Sequence, residues 1–153
     1  MRLAWPFMLL LAVVLAACGG YDDAPSKADY VKEAEEICAD ARKRLKNVGK
    51  DATTPEEISD AVDTVIEETR SSVDELKELD VPGGDAGEAA DSFVDALESE
   101  VEDTGIPALE DLRDALEDGD RKAAQRAAEK LQEIESSASD RFARELGAND
   151  CVD

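Results

Sequence analysis

The sequence predicts an all-α protein, an up-down antiparallel four-helix bundle. Three observations carry this expectation. Apolar residues recur at three- and four-residue spacing along nearly the whole chain after Ser26. Clusters of Gly, Pro and Asp cut that pattern into four runs. The composition is rich in Ala, Glu, Asp, Leu and Arg, with aromatics at only 4%, so the core must be aliphatic and built around alanine rather than the β-branched and aromatic residues that favour sheet. A length of 153 residues suits one hydrophobic core and is short for two.

Helix one starts at Ser26, with Asp29 at the third position, and carries Val31, Ala34, Cys38, Ala41, Leu45 and Val48 up to Gly49. Helix two opens on Thr54-Pro55-Glu56-Glu57, which combines an N-cap, a proline at the first helical position and a capping-box glutamate. Its stripe is Ile58, Val62, Val65, Ile66, Thr69, Val73, Leu76 and Leu79, and Val81-Pro82-Gly83-Gly84 ends it; Gly87 reads with these glycines as part of the termination signal rather than as a phosphate loop. Helix three begins over Asp85–Glu88 and carries Ala90, Phe93, Val94, Leu97 and Val101. Gly105-Ile106-Pro107 interrupts it, yet Ala108, Leu109, Leu112, Ala115 and Leu116 resume the stripe in phase, which favours one long helix kinked near Pro107 over two separate ones. Asp118-Gly119-Asp120 makes a turn, and helix four runs through Ala124, Ala127, Leu131, Ile134, Ala138, Phe142 and Leu146 to Gly147. Short connections make these helices antiparallel neighbours. That topology returns the end of helix four to the start of helix one, bringing Cys151 towards Cys38 and Phe142 towards Tyr30.

The chain before helix one is of a different kind. Met1-Arg2 is a minimal positive head, and Leu3 to Ala17 is an uncharged stretch of fifteen residues ending in small side chains, which reads as a signal peptide over 1–17. A spanning helix needs roughly 20 apolar residues, and this stretch is shorter and contains Pro6. Leu15-Ala16-Ala17-Cys18 resembles the bacterial lipobox. That resemblance implies that Cys18 receives a diacylglyceryl group, becomes the new N-terminus and anchors the chain on the extracytoplasmic side of the cell membrane. Two acyl chains hold firmly where one holds only marginally. Residues 18–26 would then be the lipidated cysteine and a short polar tether, and 27–153 the acidic helical domain. The other reading is an ordinary secreted protein, cleaved nearby with Cys18 left as a free or paired thiol.

With Cys18 assigned to the anchor, Cys38 and Cys151 remain as an even pair in an oxidising compartment, and a disulfide between them is expected. A catalytic thiol or a metal-thiolate pair lacks partners, because the chain contains no histidine. The leader, the run Y-V-K-E-A-E-E-I-C from Tyr30 to Cys38 and the terminal L-G-A-N-D-C together resemble small acidic secreted helical proteins of high-GC Gram-positive bacteria. That resemblance implies a fold and an envelope location and supplies no active residue.

A net charge of −22 excludes nucleic acid and anionic headgroups as partners of the surface as a whole. Residues 51–119 hold 24 Asp+Glu against only Arg70, Lys77 and Arg113, a net of −21, while residues 28–50 and 120–146 are nearly neutral. Helices two and three should therefore carry almost all of the field, either as a solvated face or as a docking surface for a cationic protein or envelope partner. No dedicated metal site is expected. Asp118-Gly119-Asp120-Arg121-Lys122 lacks the further ligands of a calcium loop. The basic cluster Arg42-Lys43-Arg44 with Lys46 fits complementation of the helix-one dipole and a pairing of Asp40 with Arg44 better than a phosphate site. No catalytic residue and no cofactor are expected, since without histidine the usual triads and di-iron bundles cannot be assembled. The function expected is that of a non-catalytic, membrane-anchored lipoprotein whose domain binds or scaffolds another envelope component. The alternative is a cation or small-ligand binder that uses the bundle interior or the acidic face.

Overall fold

The structure, a computed structural model, describes residues 24–132 and 138–152, and among these every regular element is helical. Helix α1 spans Lys27–Leu45, α2 Pro55–Lys77, α3 Asp85–Glu100, α4 Ile106–Glu117, α5 Arg121–Gln132 and α6 Ala138–Leu146. A five-residue π turn, Val101–Gly105, joins α3 to α4, and a 3-10 turn, Asn149–Cys151, closes the described chain. The capping signals act where the sequence places them. Ser26 Oγ accepts from the Asp29 amide at 3.2 Å, and at α2 Thr54 and Glu57 form the full capping box, with the Glu57 carboxylate accepting from the Thr53 and Thr54 amides at 2.8 and 3.0 Å. Those amides hold the Glu57 carboxyl below its ordinary pKa. At α5 the Asp120 carboxylate accepts from the Lys122 and Ala123 amides, each at 3.0 Å, and the Ala123 bond is the main cause of its lowered pKa.

The third predicted helix is continuous from α3 through the π turn to α4. The Ile106 N–H bonds the Val101 carbonyl, one residue further back than in an α-helix. The widening falls just before Pro107, whose ring would crowd the Asp103 carbonyl and which has no N–H to offer it. The run expected as helix four is described as two helices, α5 and α6. Residues 133–137, including Ile134, lie outside the described residues. Gly87 corrects the expectation that it ends a helix: it lies in the first turn of α3, where a Cβ would collide with the Pro82 carbonyl, so the α2–α3 loop lies directly against it. Gly84, at φ +66°, is the residue that turns the chain into α3.

Helix α2 lies along α1 and α4 and, over a shorter stretch, α3; α4 packs on α5, and α3 on α6. Apolar side chains collect in two places. The larger cluster joins Tyr30 and Ala34 of α1, Leu76 of α2, Ala90, Phe93 and Val94 of α3, and Ala143, Leu146 and Ala148 at the C-terminal end. The smaller unites Val62 and Ile66 of α2 with Ile106 at the start of α4. Tyr30 and Phe93 are 1% and 0% exposed, so two of the chain's few aromatics anchor one end only.

Candidate functional site

Cys38 of α1 and Cys151 of the 3-10 turn are disulfide-bonded, with their Cα atoms 5.2 Å apart. Two more bonds tie the C-terminal turn to α1: Arg42 donates to the Val152 carbonyl at 2.7 Å, and the Asp150 amide donates to Glu35 at 3.3 Å. The bonded pair borders a partly open space of about 200 Å3 between the helices, walled by Ile37, Ala41, Val73, Leu76 and Leu97. Nearby, the Glu100 carboxylate accepts from the Ala138 and Ser139 amides at 2.6 and 3.2 Å and from the Ser139 hydroxyl at 2.6 Å. An acid on the end of α3 thus binds the first turn of α6 and complements the positive end of its dipole.

On the acidic side, all three basic residues of 51–119 bridge α2 to the α3–α4 column. Arg70 meets Glu102 at 3.2 Å, Lys77 meets Glu98 at 2.6 Å, and Arg113 of α4 meets Asp63 of α2 at 3.1 Å as well as its neighbour Asp114 at 2.8 Å. These bonds raise the Arg113 pKa through Asp114 and then Asp63, and the Lys77 pKa chiefly through Glu98. The few cations of this region are consumed by the seam between helices, and from outside it only Arg44, on Glu68 and Glu75, and Lys130, on Asp111, add ion pairs among the described residues, so most of the other carboxylates project an uncompensated field. An open trough of about 530 Å3 runs along α2 beside Asp63, Glu67, Asp74, Glu75 and Glu78.

Where α1, α2 and α3 meet, Tyr30, Leu76, Lys77, Val81, Asp91, Val94 and Asp95 line a cleft of about 180 Å3. The Tyr30 hydroxyl is fully buried and, among the described residues, has no hydrogen-bond partner. Burial, followed by the charge of Asp91, raises its pKa. Sequence reasoning placed Tyr30 only as a neighbour of Phe142. The available signal was its spacing from Ala34 and Cys38, which puts an aromatic with a polar tip on the inward stripe of α1.

The other residues singled out in the sequence resolve as follows. Cys18, the expected lipid anchor, and the leader before it lie outside the described residues. The basic cluster does sit in the last turn of α1, but the expected Asp40–Arg44 pairing is corrected. Arg44 reaches across to Glu68 and Glu75 of α2, at 2.6 and 3.3 Å, and Lys43 takes Asp40 at 3.9 Å. Two acids within reach of a long guanidinium on the facing helix outcompete the single acid one turn back. Among the described residues no group of three or more His, Cys, Asp or Glu is arranged to hold a metal ion, and no helix is long and apolar enough to cross a membrane. Comparison with known proteins finds no matching family model, no matching curated protein and no matching solved structure.

Proposed function

We propose that this chain is a bacterial lipoprotein, anchored through a diacylglyceryl group on Cys18 to the extracytoplasmic face of the cell membrane, whose non-catalytic helical domain binds or scaffolds a cationic protein or envelope partner. The packing of α1 on α2, α2 on α4, α4 on α5 and α3 on α6 supports an up-down antiparallel bundle of four columns, with α5 and α6 as the two halves of the last. The observation that carries the functional reading is the use of Arg70, Lys77 and Arg113 at the α2–α3/α4 seam, because, apart from Glu68 and Glu75 held by Arg44 and Asp111 held by Lys130, it leaves the other acids of 51–119 without an ion pair among the described residues. Such a field raises the local concentration of cations and speeds encounter with basic surfaces. The disulfide supports an oxidising compartment, since such bonds are rare where thiols are kept reduced.

Intact-mass measurement of the membrane-extracted protein tests the anchor: cleavage before Cys18 with the added mass of a diacylglyceryl group is expected, and an unmodified, uncleaved N-terminus overturns it. Crosslinking in cells, repeated after charge reversal of Glu67, Asp74, Glu78 and Glu110, tests the surface. Loss of the crosslinked partner is expected, and an unchanged set of partners overturns the assignment of residues 51–119. The alternative, a small-ligand-binding bundle, is favoured by the largely apolar, partly open space beside the disulfide.

A further inference from the structure

A hydroxyl buried with no partner costs roughly 1–3 kcal/mol relative to one that is hydrogen-bonded, so Tyr30 stands out among the described residues, whose other buried side-chain polar atoms have partners. The cleft it lines is mixed in character. Leu76 and Val94 are apolar and fixed in the core, while Asp91 and Asp95, one helical turn apart on α3, are exposed. Among the described residues neither acid makes an ion pair, and the one cation in the cleft, Lys77, is held by Glu98 at 2.6 Å. Val81, at 38%, is the exposed large hydrophobic side chain among the described residues and also lines this cleft.

We infer that the cleft is a binding site for a primary alkylammonium group: the ammonium donates to the Tyr30 hydroxyl oxygen and to the Asp91 and Asp95 carboxylates, while its methylene stem packs on Leu76, Val94 and Val81. Three donors on one nitrogen match three acceptors of this kind. A small apolar wall beside two carboxylates suits a charged head on an aliphatic stem better than a bare ion. A calcium ion fits poorly, because it requires roughly six to eight oxygen ligands and the cleft offers two carboxylates and a neutral phenol. The hydroxyl itself has almost no exposed surface, so the ammonium reaches it only when the exposed side chains beside it, Asp91, Asp95 and Val81, move aside. The group can belong to a free amine or to a lysine side chain of a protein. The inference deepens the proposed function by naming what the acidic side recognises, and in its lysine form it rests on that reading.

The full chain is titrated at constant ionic strength with n-butylammonium, with a lysine-containing peptide and with tetramethylammonium, which carries the charge but cannot donate. Binding is followed by NMR through the amides of Asp91, Val94 and Asp95 and through the Tyr30 ring. Saturable shifts with butylammonium and the peptide are expected, with affinity falling about tenfold in Tyr30→Phe and about tenfold in Asp91→Asn, as for loss of a hydrogen bond to a charged group. Saturation by butylammonium alone assigns the site to free amines, and saturation by the peptide as well assigns it to protein lysines. Equal shifts with tetramethylammonium, or unchanged affinity in folded Asp91→Asn, overturn the site and leave only a diffuse field. Loss of the site with partner crosslinking intact leaves the proposed function standing. Retention of the site with no partner crosslinked to 51–119 leaves the amine site standing alone.

Discussion

The two ends of the molecule are held together by different physics. At one end, Tyr30, Phe93, Leu76 and Leu146 bury large apolar surfaces between α1, α2, α3 and α6, and a disulfide closes the chain across them. At the other, Val62, Ile66 and Ile106 form a small cluster, and the seam around it is laced by Arg70–Glu102, Arg113–Asp63 and the Ser59 hydroxyl donating to Glu117 at 3.0 Å. Buried area contributes about 25 cal/mol per Å2, whereas exposed ion pairs contribute about 0–1 kcal/mol each. Both acids of those two pairs are roughly half exposed, so the second end depends on three buried aliphatic side chains, with Val101, Leu109 and Leu112 packed against them, and works against the repulsion of its own surface. Strong charge is thus affordable at one end because the other end holds the fold.

The largest test of that contrast is removal of the disulfide. A closed loop of 113 residues corresponds to roughly 4–5 kcal/mol in the chain-entropy picture, with about 2–5 kcal/mol typical of native bonds. Cys38→Ser with Cys151→Ser should lower stability by that amount in denaturant titration, and a change under about 1 kcal/mol would show that the helices dock without it.

Next come the cores. Phe93→Ala should cost about 3–5 kcal/mol and unfold the whole domain, while Ile106→Ala should cost about 2–4 kcal/mol and act mainly on α2, the π turn and α4. Hydrogen exchange separates the two, since faster exchange confined to the acidic end in the second variant is expected. Equal loss of protection throughout would mean that the two clusters are one cooperative core.

Salt provides a smaller test of the opposite sign. The repulsion within 51–119 should outweigh its few bridges, so stability should rise between about 0.01 and 0.15 M NaCl as screening shortens the reach of charge. A fall would mean that the bridges dominate. At high pH the disulfide end becomes the sensitive one. The Tyr30 pKa is raised by burial, so the stability it contributes is fully present below the ordinary phenol value of about 10 and is lost as pH rises through the higher folded value. Tyr30→Phe should extend the alkaline limit of folding, and an unchanged limit would point to another group.

The smallest effect expected is at the joint between the ends. Glu100→Ala removes the cap from α6 and should cost about 1 kcal/mol, with Glu100→Gln retaining part of it. A neutral result would show that solvent satisfies those amides equally well.

Local rules and tertiary geometry divide the fold between them. The caps at Ser26 and Thr54 are legible because each depends on side chains within three residues of the amides it satisfies, and the same local rule covers Asp120, expected only as part of a turn. The cysteine pairing was accessible because only one connectivity remained. The Arg44 partners were not accessible: from α1 alone Asp40 is the nearest acid, and only the approach of α2 brings Glu68 and Glu75 within reach. Gly87 was misread for the same reason, since the Pro82 carbonyl that requires a glycine belongs to the loop before it. The Tyr30 cleft draws on α1, α2 and α3, with no motif to announce it.

By itself the sequence determined helix starts, apolar stripes, the segregation of acid into 51–119 and the cysteine pair, because periodicity, capping and charge count are properties of neighbours along the chain. Only the tertiary structure decided which cations the α2–α3/α4 seam consumes, which acid caps α6 and which hydroxyl is sealed without a partner. Those depend on distances between residues some twenty to sixty positions apart, which helix packing sets and no local pattern encodes.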